Sequence, residues 1–262
     1  MAIPLILAFV FGSVIGSFLN VVSLRLHSGK GVDGRSMCMS CGKTLTWLEL
    51  FPIVSFLAQR GRCSGCKSRI SWQYPLVEAV TGLLFMAIFL EYMPASLTGA
   101  GPLFIYLITA CLLVVIMAYD WKHKIIPDAF VYTFDALALL GVFVGGSGFL
   151  HAPHLWTLLA GPILALPFAA LWLFSKGTWM GLGDAKLVLG LGWLLGMNGG
   201  ANAVILAFWI GAAVSVLWML FTYRRFKARL EIPFGPYLIL GLYLVLLLHV
   251  QALDLRLLAS LF

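Results

Sequence analysis

Between Lys186 and Arg224 the chain carries no charged side chain, and runs with at most one acid also fill residues 2–24, 75–90, 101–119, 129–144, 155–174 and 232–253. A charge in hydrocarbon costs about 2.5–3.5 kcal/mol even on the lenient insertion scale, so runs of this kind are read as membrane spans. The composition agrees: 62% of residues are hydrophobic and 10% charged, against roughly a quarter charged in a soluble domain. An ordinary water-soluble globule is excluded. With about 20 residues per crossing, eight crossings consume about 160 positions and leave about 100 for loops and one small module. A large soluble catalytic domain does not fit either. The expected fold is an all-α polytopic membrane protein of about eight transmembrane helices.

Residues 2–24 lack the basic start and small-residue cleavage site of a signal peptide, so the first span is expected to be retained. The run 187–223 is too long for one crossing. Gly196-Met197-Asn198-Gly199-Gly200 divides it into a short sixth and a seventh span, and the glycines at 145–148 with Pro153 separate the fourth from the fifth. Asp120 is expected to end the third. Cytoplasmic loops are rich in Lys and Arg, and on this division sixteen of the seventeen basic residues fall on one side, Arg256 being the exception. Both termini are therefore expected in the periplasm and residues 25–74 in the cytoplasm. The formal charge of +7 orients the protein and gives anionic lipid headgroups a partner; no nucleic acid is expected. The domain reading is a first transmembrane helix at 1–24, a zinc-binding module with an interfacial segment at 25–74, and a seven-helix core at 75–262.

Cys38-Met39-Ser40-Cys41 and Cys63-Ser64-Gly65-Cys66 form two matched CxxC pairs. That spacing suits one closed tetrahedral zinc site of four thiolates, with no open position for catalysis. Disulfides or a redox pair are the alternatives, and a cytoplasmic location disfavours disulfides. A module of this size buries little core, so metal would supply stability. Gly42 and Gly65 are expected in the knuckle turns, and Arg35, Lys43, Arg62 and Lys67 lie near enough to offset thiolate charge. Residues 45–54 are too apolar for a solvated loop and too short to span, which predicts a segment on the membrane interface. Cys111, within the third span, reads as a small buried hydrophobe.

Among the ten acidic residues, Asp120 and Asp184 fall at the cytoplasmic membrane edge, Asp184 directly after Gly181-Leu182-Gly183. Two carboxylates brought together can share a proton, one activating water while the other polarises a peptide carbonyl. Plain structural readings exist for both: Asp184 as a helix cap, Asp120 as a solvated helix end paired with Lys122 or Lys124. Asp128 follows Pro127 and reads as a cap of the fourth span. Asp135 is deeper, must be paired or protonated, and has no glycine-rich approach in sequence. Glu78 sits near the start of the second span, where a helix N-terminus favours it. His151 and His154 lack a third ligand and read as loop residues.

These residues resemble a known family. Gly181-Leu182-Gly183-Asp184 with Ala185-Lys186 is similar to the GxGD signature of membrane aspartyl proteases, and Asp120 with Ile125-Ile126-Pro127-Asp128 resembles the partner motif of the type IV prepilin peptidases. Gly16-Ser17-Phe18-Leu19-Asn20-Val21 with Arg25, Tyr74-Pro75-Leu76-Val77-Glu78, and Pro233-Phe234-Gly235-Pro236-Tyr237 resemble further stretches of that family, and the double CxxC module its bifunctional branch. The resemblance implies a bacterial inner-membrane endopeptidase with Asp120 and Asp184 catalytic and Gly181, Gly183 and Lys186 supporting them. Its substrates would be prepilins or type II secretion pseudopilins, cut on the cytoplasmic side after the glycine that precedes the new N-terminal residue, usually phenylalanine. It also implies N-methylation of that residue by S-adenosylmethionine, and Gly16, Ser17, Asn20 and Glu78 are the residues associated with methyl transfer or substrate. No nucleotide-type glycine loop marks a methyl-donor site. A secondary transporter with a zinc-knuckle regulatory module is the competing class, with a non-catalytic assembly scaffold as a third. Transporters usually hold their acids near the bilayer midplane, whereas the two best aspartates here lie at its edge.

Overall fold

The structure, a computed structural model, describes residues 2–26, 31, 34–93, 100–144, 153–221 and 233–252. Lys30, Arg224, Arg225, Lys227, Arg229 and Arg256, which carry part of the orientation argument, lie outside these residues, as do the 145–148 turn and His151.

The described chain is helical: α1 (Ala2–Arg25), a 3₁₀ turn (Trp47–Leu50), α2 (Val54–Ala58), α3 (Gln73–Tyr92), α4 (Gly101–His123), α5 (Asp128–Phe143), α6 (Leu155–Ser175), α7 (Leu182–Phe221) and α8 (Gly235–Leu248). Extended pairing among the described residues is limited to two isolated bridges, Met37 with Thr44 and Arg62 with Arg69. Five helices, α1, α3, α4, α6 and α7, are long and apolar enough to cross a bilayer. The 40 residues of α7 break at Gly196, whose φ of 71° and ψ of −178° interrupt the helix. Counting its two arms, the shorter apolar helix α8 and α5, which carries two aspartates, gives eight helical segments beside the zinc module.

Local chemistry sets the ends. Proline stands in the first turn of α4 and of α8, where a missing N–H costs nothing. At the other end of α4, Lys124 turns left-handed with φ 57° and returns its N–H to the Asp120 carbonyl at 2.7 Å. Thus α4 runs one turn past Asp120.

The chain forms two compact units, one of residues 1–93 with 106–118, the other of 94–105 with 119–262. In the first, α1 and α3 pack closely along small residues: a Cβ at Gly12 would lie 2.7 Å from the Phe85 Cβ, and one at Gly16 2.9 Å from the Glu78 Cα. Van der Waals contact of this kind drives helix association where lipid is as apolar as leucine. In the second, α7 packs against α5, α6 and α8. The α6 and α7 backbones meet at Gly161 and Gly192, where a Cβ on Gly192 would lie 2.6 Å from the Gly161 Cα. Phe134, Leu187, Leu191, Leu238 and Leu242 fill the interior.

Candidate active site and metal centre

Asp120 sits in the last turn of α4 with 3% of its surface exposed. That burial excludes the solvated helix end. Its Oδ2 has no hydrogen-bond partner and lies over the first residue of α8, where a Cβ on Gly235 would come within 2.5 Å of it. The Gly235 N–H is directed at the same carboxylate. Ile126 fills the adjoining space: a Cβ on Gly183 would lie 2.9 Å from the Ile126 Cβ, and one on Gly235 3.4 Å from its Cδ1.

Asp184 is the third residue of α7, not its cap. The Gly181–Asp184 turn closes with the Asp184 N–H on the Gly181 carbonyl at 3.3 Å. The carboxylate reaches back toward Gly181, with Oδ2 3.7 Å from where a Gly181 Cβ would be. Asp184 is half-buried and close enough to Asp120 for the two charges to interact. Like charges in a water-poor site disfavour double ionisation, which is the condition for one proton to serve both.

Asp128 departs from its expected role. Pro127 occupies the cap position of α5, and the Asp128 carboxylate instead takes a hydrogen bond from Lys186 Nζ at 2.6 Å. The same ammonium lies 4.6 Å from the centre of the Tyr132 ring. Asp128, Tyr132 and Asp135 follow one face of α5 at helical spacing, as Lys186 and Gly190 do on α7. Asp135 is buried with neither carboxylate oxygen hydrogen-bonded. Its Oδ1 lies directly against Gly190, so a glycine does approach it, from the neighbouring helix and not from adjacent sequence.

The four cysteines converge. One Sγ from each of Cys38, Cys41, Cys63 and Cys66 falls within a 4.8 Å set, with Cys38 and Cys66 3.8 Å apart. Zn–S bonds of about 2.3 Å in a tetrahedron place sulfurs about 3.8 Å apart, so the set fits zinc. The knuckles are built alike. The Cys38 N–H bonds to the Lys43 carbonyl and the Cys63 N–H to that of Ser68, each at 2.9 Å. The residue after each second cysteine is left-handed, Gly42 at φ 72° and Lys67 at φ 61°. Gly65 lies in the second knuckle turn, as expected, while the left-handed residue there is Lys67. Backbone N–H groups of Cys41 and Ser40 hold the Cys38 thiol down to about 6 and Ser68 lowers that of Cys66, whereas the Cys41 thiol, despite the Lys43 N–H, is pushed up to about 11 by the Cys66 sulfur beside it. Lys43 contacts Glu49 at 2.7 Å and Ser64 at 2.6 Å. Lys43, then Ser64 and Thr46, keep the Glu49 carboxyl down at about 2. Trp47, Leu48, Phe51 and Val54, within the apolar 45–54 segment, are exposed. Cys111 is half-buried.

Gly16, Ser17, Asn20 and Glu78 meet at the α1/α3 seam. Asn20 is fully buried and donates from Nδ2 to the Tyr74 carbonyl at 3.2 Å. Glu78 accepts the Ile53 N–H at 2.7 Å. Pairings such as Glu78 with Ile53, or Asp128 with Lys186, join residues far apart in sequence, and no local sequence signal marked either.

Known proteins resemble this arrangement along nearly the whole chain. Residues 10–92 match the bacterial peptidase A24 N-terminal domain and residues 106–216 the type IV leader peptidase family. A prepilin leader peptidase/N-methyltransferase of Aeromonas hydrophila is 32% identical, over 92% of this chain and 89% of its own. One of Bacillus subtilis is 31% identical over 89% and 90%. No solved structure matches the chain.

Proposed function

From the premise that this chain belongs to the type IV leader peptidase family, we propose that it cuts the basic leader from prepilins or pseudopilins with Asp120 and Asp184 as the reacting pair. The enzyme is a prepilin leader peptidase with N-methyltransferase activity. The family match leaves no support for a transporter.

The observation that carries the dyad is the joint placement of a buried, half-satisfied Asp120 and a glycine-flanked Asp184 within one unit. In such a pair the ionised carboxylate takes a proton from water as its oxygen attacks the scissile carbonyl carbon. The protonated partner donates to the carbonyl oxygen, and a proton then passes to the leaving amine as the C–N bond breaks. Gly181 leaves the approach to Asp184 free of a side chain, and Gly183 lets Ile126 pack against the start of α7. Lys186, held by Asp128, fixes the start of α5 to the start of α7. Cys38, Cys41, Cys63 and Cys66 would hold zinc, whose closed thiolate shell supplies folding energy to the module.

Cleavage of a leader-bearing pilin by the purified protein tests the dyad. Asp120→Asn and Asp184→Asn should each lower the rate at least about 10³-fold, and the double variant little further, because groups acting as a unit are not additive. Substantial cleavage by either single variant overturns the assignment.

The orientation belongs to the same proposal: the protein lies in the inner membrane with both termini periplasmic and the zinc module cytoplasmic, its basic residues against anionic headgroups. S-adenosylmethionine is the methyl donor the resemblance implies. An impermeant thiol reagent added to intact cells should leave Ser71→Cys unlabelled; labelling reverses the orientation.

A further inference from the structure

Ile53 occupies a backbone conformation that a β-branched residue rarely takes. Its φ of 61° and ψ of −52°, with the Val54 N–H returned to the Pro52 carbonyl at 2.5 Å, describe a γ-turn of the strained, positive-φ kind. Such strain persists only where the surroundings over-determine it.

What holds this turn is Glu78. The carboxyl group, 6% exposed in the α1/α3 seam, accepts the N–H of Ile53 at 2.7 Å, a hydrogen bond in a place with little competing water. The Ser17 hydroxyl on α1 faces the same carboxylate. Burying an acid is costly unless such donors meet it, so turn and carboxylate depend on each other.

The turn joins two pieces of the zinc module. Before it, the Trp47–Leu50 turn carries Glu49, which takes hydrogen bonds from Lys43 beside the first knuckle and from Ser64 inside the second. After it, α2 places Phe56 against Trp72, with ring centres 4.9 Å apart, immediately before α3. Glu49 is thus tied to both knuckles, the chain runs from it through three residues to the Ile53 turn, and that turn is bonded to Glu78, all within the first unit.

We propose that Glu78 is a positioning residue: by holding the γ-turn at Ile53 it docks the zinc module onto the α1/α3 helix pair. It gives the module a fixed seat on the helices.

The test uses the full-length protein in detergent, with limited proteolysis of residues 47–62 and extraction of zinc by a chelator. Glu78→Ala should quicken both by about tenfold, the change expected when a local opening loses one good buried hydrogen bond. Glu78→Gln keeps an acceptor oxygen and should stay within about twofold of the parent. Glycine takes positive φ without strain, so Ile53→Gly in the Glu78→Ala background should restore most of the protection. Should Glu78→Ala not fold, Glu78→Met, which keeps the length and removes the acceptor, is compared with Glu78→Gln in the same assays. Unchanged proteolysis in folded Glu78→Ala or Glu78→Met overturns the proposal. Accelerated cutting that Ile53→Gly does not repair also overturns it, assigning Glu78 to seam packing instead. The proteolysis readout stands apart from metal content and from the aspartate dyad.

Discussion

Gly235 leaves room for nothing larger than hydrogen beside Asp120, because a Cβ there would meet the carboxylate Oδ2 at 2.5 Å and its carbon at 3.4 Å. Gly235→Ala should therefore turn the carboxylate and lower pilin cleavage by about 100-fold, since misplacing a reacting group by an ångström has that order of effect. Asp128→Asn and Lys186→Met are expected to cost far less. The Asp128 side chain is 67% exposed, and exposed ion pairs contribute about 0–1 kcal/mol; less than about a tenfold loss in rate follows. Rates of Gly235→Ala within tenfold of the parent, with the fold intact, would remove the contact from the site. Membrane-edge position, and for Asp184 the preceding glycines, made the two aspartates candidates in the sequence beside plainer structural readings, and the family resemblance was what selected them. The importance of Gly235 was visible there only through the family resemblance, because its contact with Asp120 joins two helices distant along the chain.

Helices announce themselves by composition, but their breaks depend on single dihedrals. The glycine cluster 196–200 was a sound signal for dividing α7. The break falls at Gly196 alone, with Gly199 and Gly200 inside the helix that follows, and Gly200 there meets Leu164 of α6. The zinc module shows the same division of labour. Cysteine spacing made the metal site legible, whereas the left-handed Lys67 and Ile53 were hidden, since neither residue type favours positive φ. Because this small module has two short helical turns and few buried apolar side chains, metal should carry much of its stability. Metal analysis of the detergent-purified protein should find one zinc per chain. Cys63→Ser with Cys66→Ser should abolish it and render residues 36–70 protease-sensitive, while the helical content of the membrane segments persists. Full zinc content in that variant would place the ion elsewhere.

The two units of the molecule divide its chemistry in a testable way. Asp120, Asp184, Lys186 and the glycines around them all belong to the second unit, and the cysteines with Glu78 and Asn20 to the first. The two family matches divide similarly, one covering residues 10–92 and the other 106–216. Peptide hydrolysis needs an activated water and a polarised carbonyl, which a carboxylate pair provides. Methyl transfer to an amine needs neither, only a free, unprotonated nitrogen aligned with the donor methyl. Nothing in that second reaction calls for Asp184. The sequence carried the peptidase half in residues of recognisable chemistry, while the methylating half has no comparable signature, since aligning two reactants can be done by shape and backbone contacts. Asp184→Asn keeps side-chain size and removes the ionisable group, so the fold and zinc site should survive it. Given a pilin already cut, that variant should methylate at a rate within about threefold of the parent, the scatter expected when a transition-state contact is not touched. Given an uncut pilin, it should yield no methylated product, because the amine is never released. Loss of methylation of the precut pilin by a folded, zinc-loaded Asp184→Asn protein would mean that one site performs both reactions.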